Sequence, residues 1–270
     1  MDRGWDRVGV GAPRGAFRPS GVFLGAVAVC AVGGVMAWND YGSVRFDVFL
    51  FVVFGWIVSL SLHEYSHAVF AYHGGDHSVA SRGYLKLNPL KYAHPVLSVI
   101  LPVAFLLLGG IGLPGGAVWV DRHALRSKNA QSLVSLVGPG MNVLLALLLS
   151  VPFSLGPVSY DLADGTTAHP VFWAGVAFLA YLQLTAAMLN LLPLPGLDGG
   201  GVVRPWLNPP WDRYYDQFAG VGMLLLFALL FLPLINGWFF GAVNDFGNLI
   251  GVPILNGAGY GYRLFQFWRA

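Results

Sequence analysis

The stretch VFLFVVFGWIVSLSLHEYSHAVFAY, residues 48–72, decides how the chain is read. It is long enough to cross the roughly 30 Å hydrocarbon core of a bilayer as a single helix, yet it holds His63, Glu64 and His67 in its second half. Ionisable side chains at that depth are costly and mark function. Glu64 is also the only glutamate in the 270 residues. On a helix, His63 and His67 project from one face a turn apart, so they can share one metal ion. Glu64 lies about 100° round from His63, beside that face and free of the metal.

This is the arrangement that metal-assisted hydrolysis requires: two neutral imidazoles on a zinc ion, a carboxylate as general base and an open position for water. The remaining histidines, His73, His77, His94, His123 and His169, fall in loops or at interfaces. His73 and His77 repeat the four-residue spacing, but Gly74 and Gly75 between them argue against a helix there.

Working outward, 56% of the residues are hydrophobic, 10% are charged and the mean hydropathy is +0.63, which excludes an ordinary soluble domain. The expected fold is an all-α polytopic membrane protein, one membrane-embedded domain over 1–270. An excess of two basic residues, scattered through loops, excludes nucleic acid as a partner. The lone Cys30 excludes an intramolecular disulfide and a cysteine-based zinc site. Arg3, Arg7, Arg14 and Arg18 precede the first apolar run, which is long for a signal core and lacks a clear cleavage site. They read as a cytoplasmic tail before a retained helix.

Apolar runs of spanning length occupy 21–38, 48–72, 133–154, 170–192 and 219–240. A sixth run, 95–113, is interrupted by Pro102, Gly109 and Gly110, as broken or re-entrant segments often are. With six simple spans and the N-terminus inside, nine Lys and Arg face inward and six outward; with a re-entrant 95–113, twelve face inward and three outward. Basic residues favour the cytoplasmic side, so five crossings and one re-entrant segment are expected. Gly21 and Gly25 read as a helix-packing pair. The aromatic, glycine-rich tail Asn244 to Ala270 reads as an interfacial segment.

A catalytic zinc needs a third protein ligand. The run 170–192 ends in Asn190-Leu191-Leu192-Pro193-Leu194-Pro195-Gly196-Leu197-Asp198-Gly199-Gly200, where a Pro- and Gly-rich turn could stop a helix and aim Asp198 inward. Taken alone, an Asp-Gly-Gly is more often a plain turn. With both segments side by side, the chain resembles the site-2 protease family of intramembrane zinc metalloproteases. The family's H-E-x-x-H is matched by His63, Glu64 and His67, and its N-x-x-P-x-x-x-L-D-G by Asn190, Pro193, Leu197, Asp198 and Gly199. Gly138-Pro139-Gly140-Met141-Asn142 resembles its G-P-x-x-N, and Leu87-Asn88-Pro89-Leu90-Lys91 a loop of its compact bacterial members. The resemblance covers roughly 48–205.

It implies one zinc ion held by His63, His67 and Asp198, Glu64 as catalytic base, and Asn142 and Asn190 near the site on the substrate backbone or a reaction oxygen. A helix-to-helix hydrogen bond is the alternative for either asparagine. It also implies a compact form, without a PDZ or nucleotide-sensing CBS domain, acting on a transmembrane helix of another protein. The site would need His67 and Asp198 on the same side of the bilayer. That takes an even number of crossings between them, again favouring a re-entrant 95–113. A short extended segment, Gly116 to Val120, would form a β-like edge for the unwound substrate. The expected location is a multi-pass protein of the cell membrane with its N-terminus cytoplasmic. The rivals are a catalytically silent membrane scaffold and a metal- or haem-binding membrane protein.

Overall fold

A computed structural model describes residues 15–92, 118–156, 158–159, 161–162, 165–218 and 232–269. Four helices in it are long and apolar enough to cross a membrane: α1 (Gly21–Asn39), α2 (Val44–Gly74), α3 (Lys128–Ser154) and α4 (Pro170–Asn190). Ser20 caps α1 by accepting from Phe23 N–H, Ser127 caps α3 by accepting from Ala130 N–H, and Pro170 opens α4, where its missing donor costs nothing. Shorter helices follow: α5 (Asp198–Val203), α6 (Pro233–Leu249) and α7 (Gly259–Phe265).

The distribution of side chains is that of a protein solvated by lipid. On α1 the buried residues are Ala26, Gly33, Gly34 and Ala37, while Val22, Leu24, Val32 and Val35 face outward. Leu144, Leu147, Leu148 and Val151 do the same on α3. Lipid provides no hydrophobic drive between helices, so close backbone approach does the work. The approach on α1 is made by Gly33, where a Cβ would stand 2.7 Å from Phe51 N on α2; Gly21 and Gly25, the expected packing pair, are exposed and have nothing near them.

Helix α4 is the hub. It packs against α2, α3, α6 and α7, and Phe178, Leu182, Leu184, Ala186 and Leu189 are all buried. The C-terminal segment is more engaged than an interfacial tail. Its first residues belong to α6, and α7 docks against the early part of α2 and α4, with Phe265 fully buried and stacked 5.6 Å from Phe49.

The connections fix where the chain returns. Arg126 N–H donates to Gly74 O at 3.1 Å, so the segment between α2 and α3 starts and ends at one end of the bundle. Tyr92 Oη donates to Ser61 O at 3.0 Å and Val118 N–H to Glu64 at 2.9 Å, which brings both flanks of 93–117 to one turn of α2. The expected re-entrant run 95–113 lies outside the described residues, as do Gly116 and Ala117. Residues 118–120 form no strand, and the described residues contain none. Of the run 219–240, only the part from 232 is described, and there the helix is α6.

Candidate metal centre

His63 and His67 sit on α2 about 30 Å from its start at 1.5 Å per residue, toward the end that carries the polar loops. Each imidazole is held by its other nitrogen. His63 Nδ1–H donates to Asn142 Oδ1 and His67 Nδ1–H to Val134 O, both at 2.6 Å. Both Nε2 atoms therefore present lone pairs to the same point. Asp198, the first residue of α5, completes the group. Its Oδ2 lies 3.2 Å from His63 Nε2 and its Oδ1 3.3 Å from His67 Nε2, with 3.1 Å between the two nitrogens.

That group could hold a metal. Ligands placed tetrahedrally at 2.0–2.1 Å from zinc lie about 3.3 Å from one another; here the two nitrogens are 3.1 Å apart, and each lies 3.2–3.3 Å from a different oxygen of the Asp198 carboxylate. The floor beneath it belongs to Gly138 on α3. A Cβ there would fall within contact of His67 Nε2 and 2.7 Å from His63 Nε2, so only a glycine leaves the nitrogens room. Among the described residues, His63, His67 and Asp198 are the one group of three or more such side chains that could hold an ion.

Asp198 reaches this point because the chain turns tightly after α4. A Cβ on Gly199 would collide with the carbonyls of Leu191 and Leu192, and one on Gly200 with Leu194 O. The Asp-Gly-Gly-Gly run is thus a site of close backbone approach.

Glu64 is 1% exposed, and its Oε2 accepts the Val118 N–H. The segment carrying Val118 is fastened by Asp76, itself buried. Asp76 accepts from Ser78 N–H and Oγ–H with one oxygen and from Asp121 N–H, at 2.8 Å, with the other. Arg82 stacks 4.0 Å over Trp119 and adds a second tie. Neither fastening is visible in the motif itself.

Asn142 takes part through a relay. Its Oδ1 holds His63, its Nδ2 donates to Gln183 Oε1 at 3.1 Å, and Gln183 Nε2 donates to Ser59 Oγ at 2.8 Å. Gln183 is fully buried in the otherwise apolar middle of α4, a position that its cost in a membrane helix could have flagged. Asn190 is buried at the end of α4. His73 and His77 are exposed and meet the Tyr72 ring edge-on, outside the metal group. Replacing Gln183 by Leu frees Asn142 to rotate and strands the partners of the relay. Zinc affinity, measured by competition with a fluorescent chelator, is expected to fall about 10–100-fold, the usual effect of losing such a support. Unchanged affinity would remove Gln183 from the site.

A bundle of membrane-length helices that closes an H-E-x-x-H helix around a distant aspartate defines a membrane-embedded metalloprotease architecture. Comparison with known proteins agrees. The chain is 46% identical over 263 residues to a protein of Mycolicibacterium smegmatis named "Putative zinc metalloprotease Rip2", covering 95% of this chain and 97% of that one. A protein of the same name from Mycobacterium tuberculosis is 46% identical over 259 residues, covering 94% and 96%. "Putative zinc metalloprotease YwhC" of Bacillus subtilis is 30% identical over 188 residues, covering 68% and 81%. No family model matches the chain, and no solved structure does. The chain belongs to the site-2 protease family of zinc metalloproteases.

Proposed function

We propose that the protein is an intramembrane zinc endopeptidase, which hydrolyses a peptide bond within or beside a transmembrane helix of another membrane protein. The convergence of two oriented imidazoles, Asp198 and the buried Glu64 inside an apolar bundle carries this reading. His63, His67 and Asp198 hold the ion. Zinc bound there supplies a Lewis acid that activates water and polarises a carbonyl. Glu64 is the general base. Val118 N–H fixes its Oε2, which leaves Oε1 to take the proton from water and pass it to the leaving amine. Asn142 and Asn190 would meet the peptide backbone, Asn142 with its Oδ1 already engaged by His63.

The substrate helix must unwind locally to expose a carbonyl, and residues 118–120 beside Glu64 are where it would lie. We place the N-terminus and the polar ends of α2, α3 and α4 in the cytoplasm, in the cell membrane. The bias of basic residues supports this side, and the return of both flanks of 93–117 to one turn of α2 supports an even number of crossings there. A haem site fits poorly, because His63 and His67 point their Nε2 atoms at one spot 3.1 Å apart and cannot flank an iron from opposite faces. A silent scaffold would have no need to keep all four residues in register.

The purified chain is expected to carry one zinc ion and to cut a membrane-anchored reporter helix. Chelation abolishes the cut and added zinc restores it. Cleavage indifferent to chelation, or a metal-free chain that resists loading, would sink the proposal.

A further inference from the structure

Arg122 stands apart from the machinery just described. Its Nη1 is buried and has no hydrogen-bond partner among the described residues, although a guanidinium is among the most demanding groups to remove from water. The nearby carboxylate that could pair with it is taken: both oxygens of Asp216 are engaged by Arg204, through Nε at 2.9 Å and through Nη2. Burial, and then the like charge of Arg204, pushes the Arg122 guanidinium below its ordinary pKa, with Asp216, Asp198 and Tyr215 opposing.

Its position relative to the metal can be read along two helices. A Cβ on Gly201 would meet Arg122 Nη2 at 3.2 Å and would collide with Ser135 Oγ. Gly201 is one turn beyond Asp198 on α5, and Ser135 is one turn before Gly138 on α3. The guanidinium therefore sits about one helical turn, roughly 5 Å, from the metal group along both. Residues 118–122 connect the two places directly, running from the Glu64 contact at Val118 to Arg122 itself.

We propose that Arg122 is the recognition site for a carboxylate of the bound polypeptide, held about two residues from the scissile bond at roughly 3.3 Å per extended residue. The planar fork suits a carboxylate bidentately. Two sources share that chemistry: an Asp or Glu side chain of a continuous substrate, and the free C-terminus of a fragment ending there. The inference rests on the protease reading for the direction of the peptide, but its test does not depend on turnover.

Labelled transmembrane peptides, with Asp or Glu walked through the positions two to four residues from the mapped or assumed cut, are titrated against the zinc-loaded chain in neutral-lipid nanodiscs. The Glu64→Gln background prevents turnover. At one position the acid peptide is expected to bind about tenfold tighter than its Asn or Gln counterpart, the scale of one charge-assisted hydrogen bond. Arg122→Gln collapses that acid-to-amide ratio to about one. Arg122→Glu shifts the preference to Lys at the same position. Arg122→Lys keeps the charge without the fork and gives an intermediate ratio, which carries the test should Arg122→Gln not fold. A parallel pair of peptides ending at that position, with free and amidated termini, tells the two sources apart.

A preference that survives Arg122→Gln, no preference at any position, or a dependence on anionic lipid in place of peptide charge overturns the inference. Failure of the Glu64-intact chain to cleave any peptide would instead refute the protease reading and leave the binding result standing.

Discussion

Glu64→Gln is expected to keep the zinc and lose the reaction. The substitution preserves shape, and its amide oxygen can still accept the Val118 N–H that Glu64 Oε2 accepts at 2.9 Å. What disappears is the capacity to take a proton. General-base catalysis contributes about 10²–10⁴-fold, so cleavage of a reporter helix should fall by that factor. Zinc content should stay at the wild-type level, because Glu64 is not one of the three groups whose ligand atoms converge. Stability should move the other way. Glu64 is 1% exposed in an apolar bundle, and replacing an ionisable carboxyl by a neutral amide removes a desolvation cost while retaining the hydrogen bond. Thermal unfolding of the variant is therefore expected at the same temperature or higher. Equal cleavage by the two proteins would refute Glu64 as the base. Loss of zinc together with activity would mean that it acts on the metal.

The meeting of His63 and His67 was legible because its signal is local. A four-residue spacing on a helix determines that two side chains meet, whatever the helix later packs against. Asp198 was not legible by itself, since an Asp-Gly-Gly reads as a plain turn; it stood out only when the segment 190–199 was read beside the H-E-x-x-H helix, and the structure brings its carboxylate to the two imidazoles. The four long helices are likewise where the apolar runs place them, to within five residues at either end.

What escaped reading depends on which face of an apolar helix meets which neighbour. In a soluble helix the polar face answers that question; in α1 there is no polar face, and the glycines at 21 and 25 look no different from those at 33 and 34. The Gln183 relay needs three helices in register, and the Val118 contact with Glu64 spans 54 positions of sequence. The docking of α7 on α2 and α4 is also a tertiary outcome. Its Gly261 lets the backbone approach Ala174 O, which composition alone describes only as a glycine in an aromatic tail.

Gly138→Ala is expected to empty the metal centre. The Gly-Pro pair could be read from sequence as a helix feature, but the structure gives the glycine a stricter role. A methyl group on residue 138 would occupy the space directly against His67 Nε2 and lie 2.7 Å from His63 Nε2, where ordinary contact begins near 3.4 Å. Neither imidazole can retreat without breaking its 2.6 Å bond to Asn142 or to Val134 O. Zinc tolerates bond-length errors of only about 0.2 Å, so under the proposed coordination a displacement of the order of 1 Å takes both imidazoles out of range of the ion. Bound zinc should drop below about a tenth of the wild-type content, and cleavage should fall with it. The overpacking itself should cost about 1–3 kcal/mol, little enough for the helical bundle to persist by circular dichroism. Gly140→Ala provides the control two residues away: nothing lies within 4 Å of a Cβ there, and that position is exposed. It should bind zinc and cleave as wild type does. If Gly138→Ala retained full zinc, the imidazoles would have to meet the ion from some direction other than over the glycine, and the geometry assigned to the centre would be wrong.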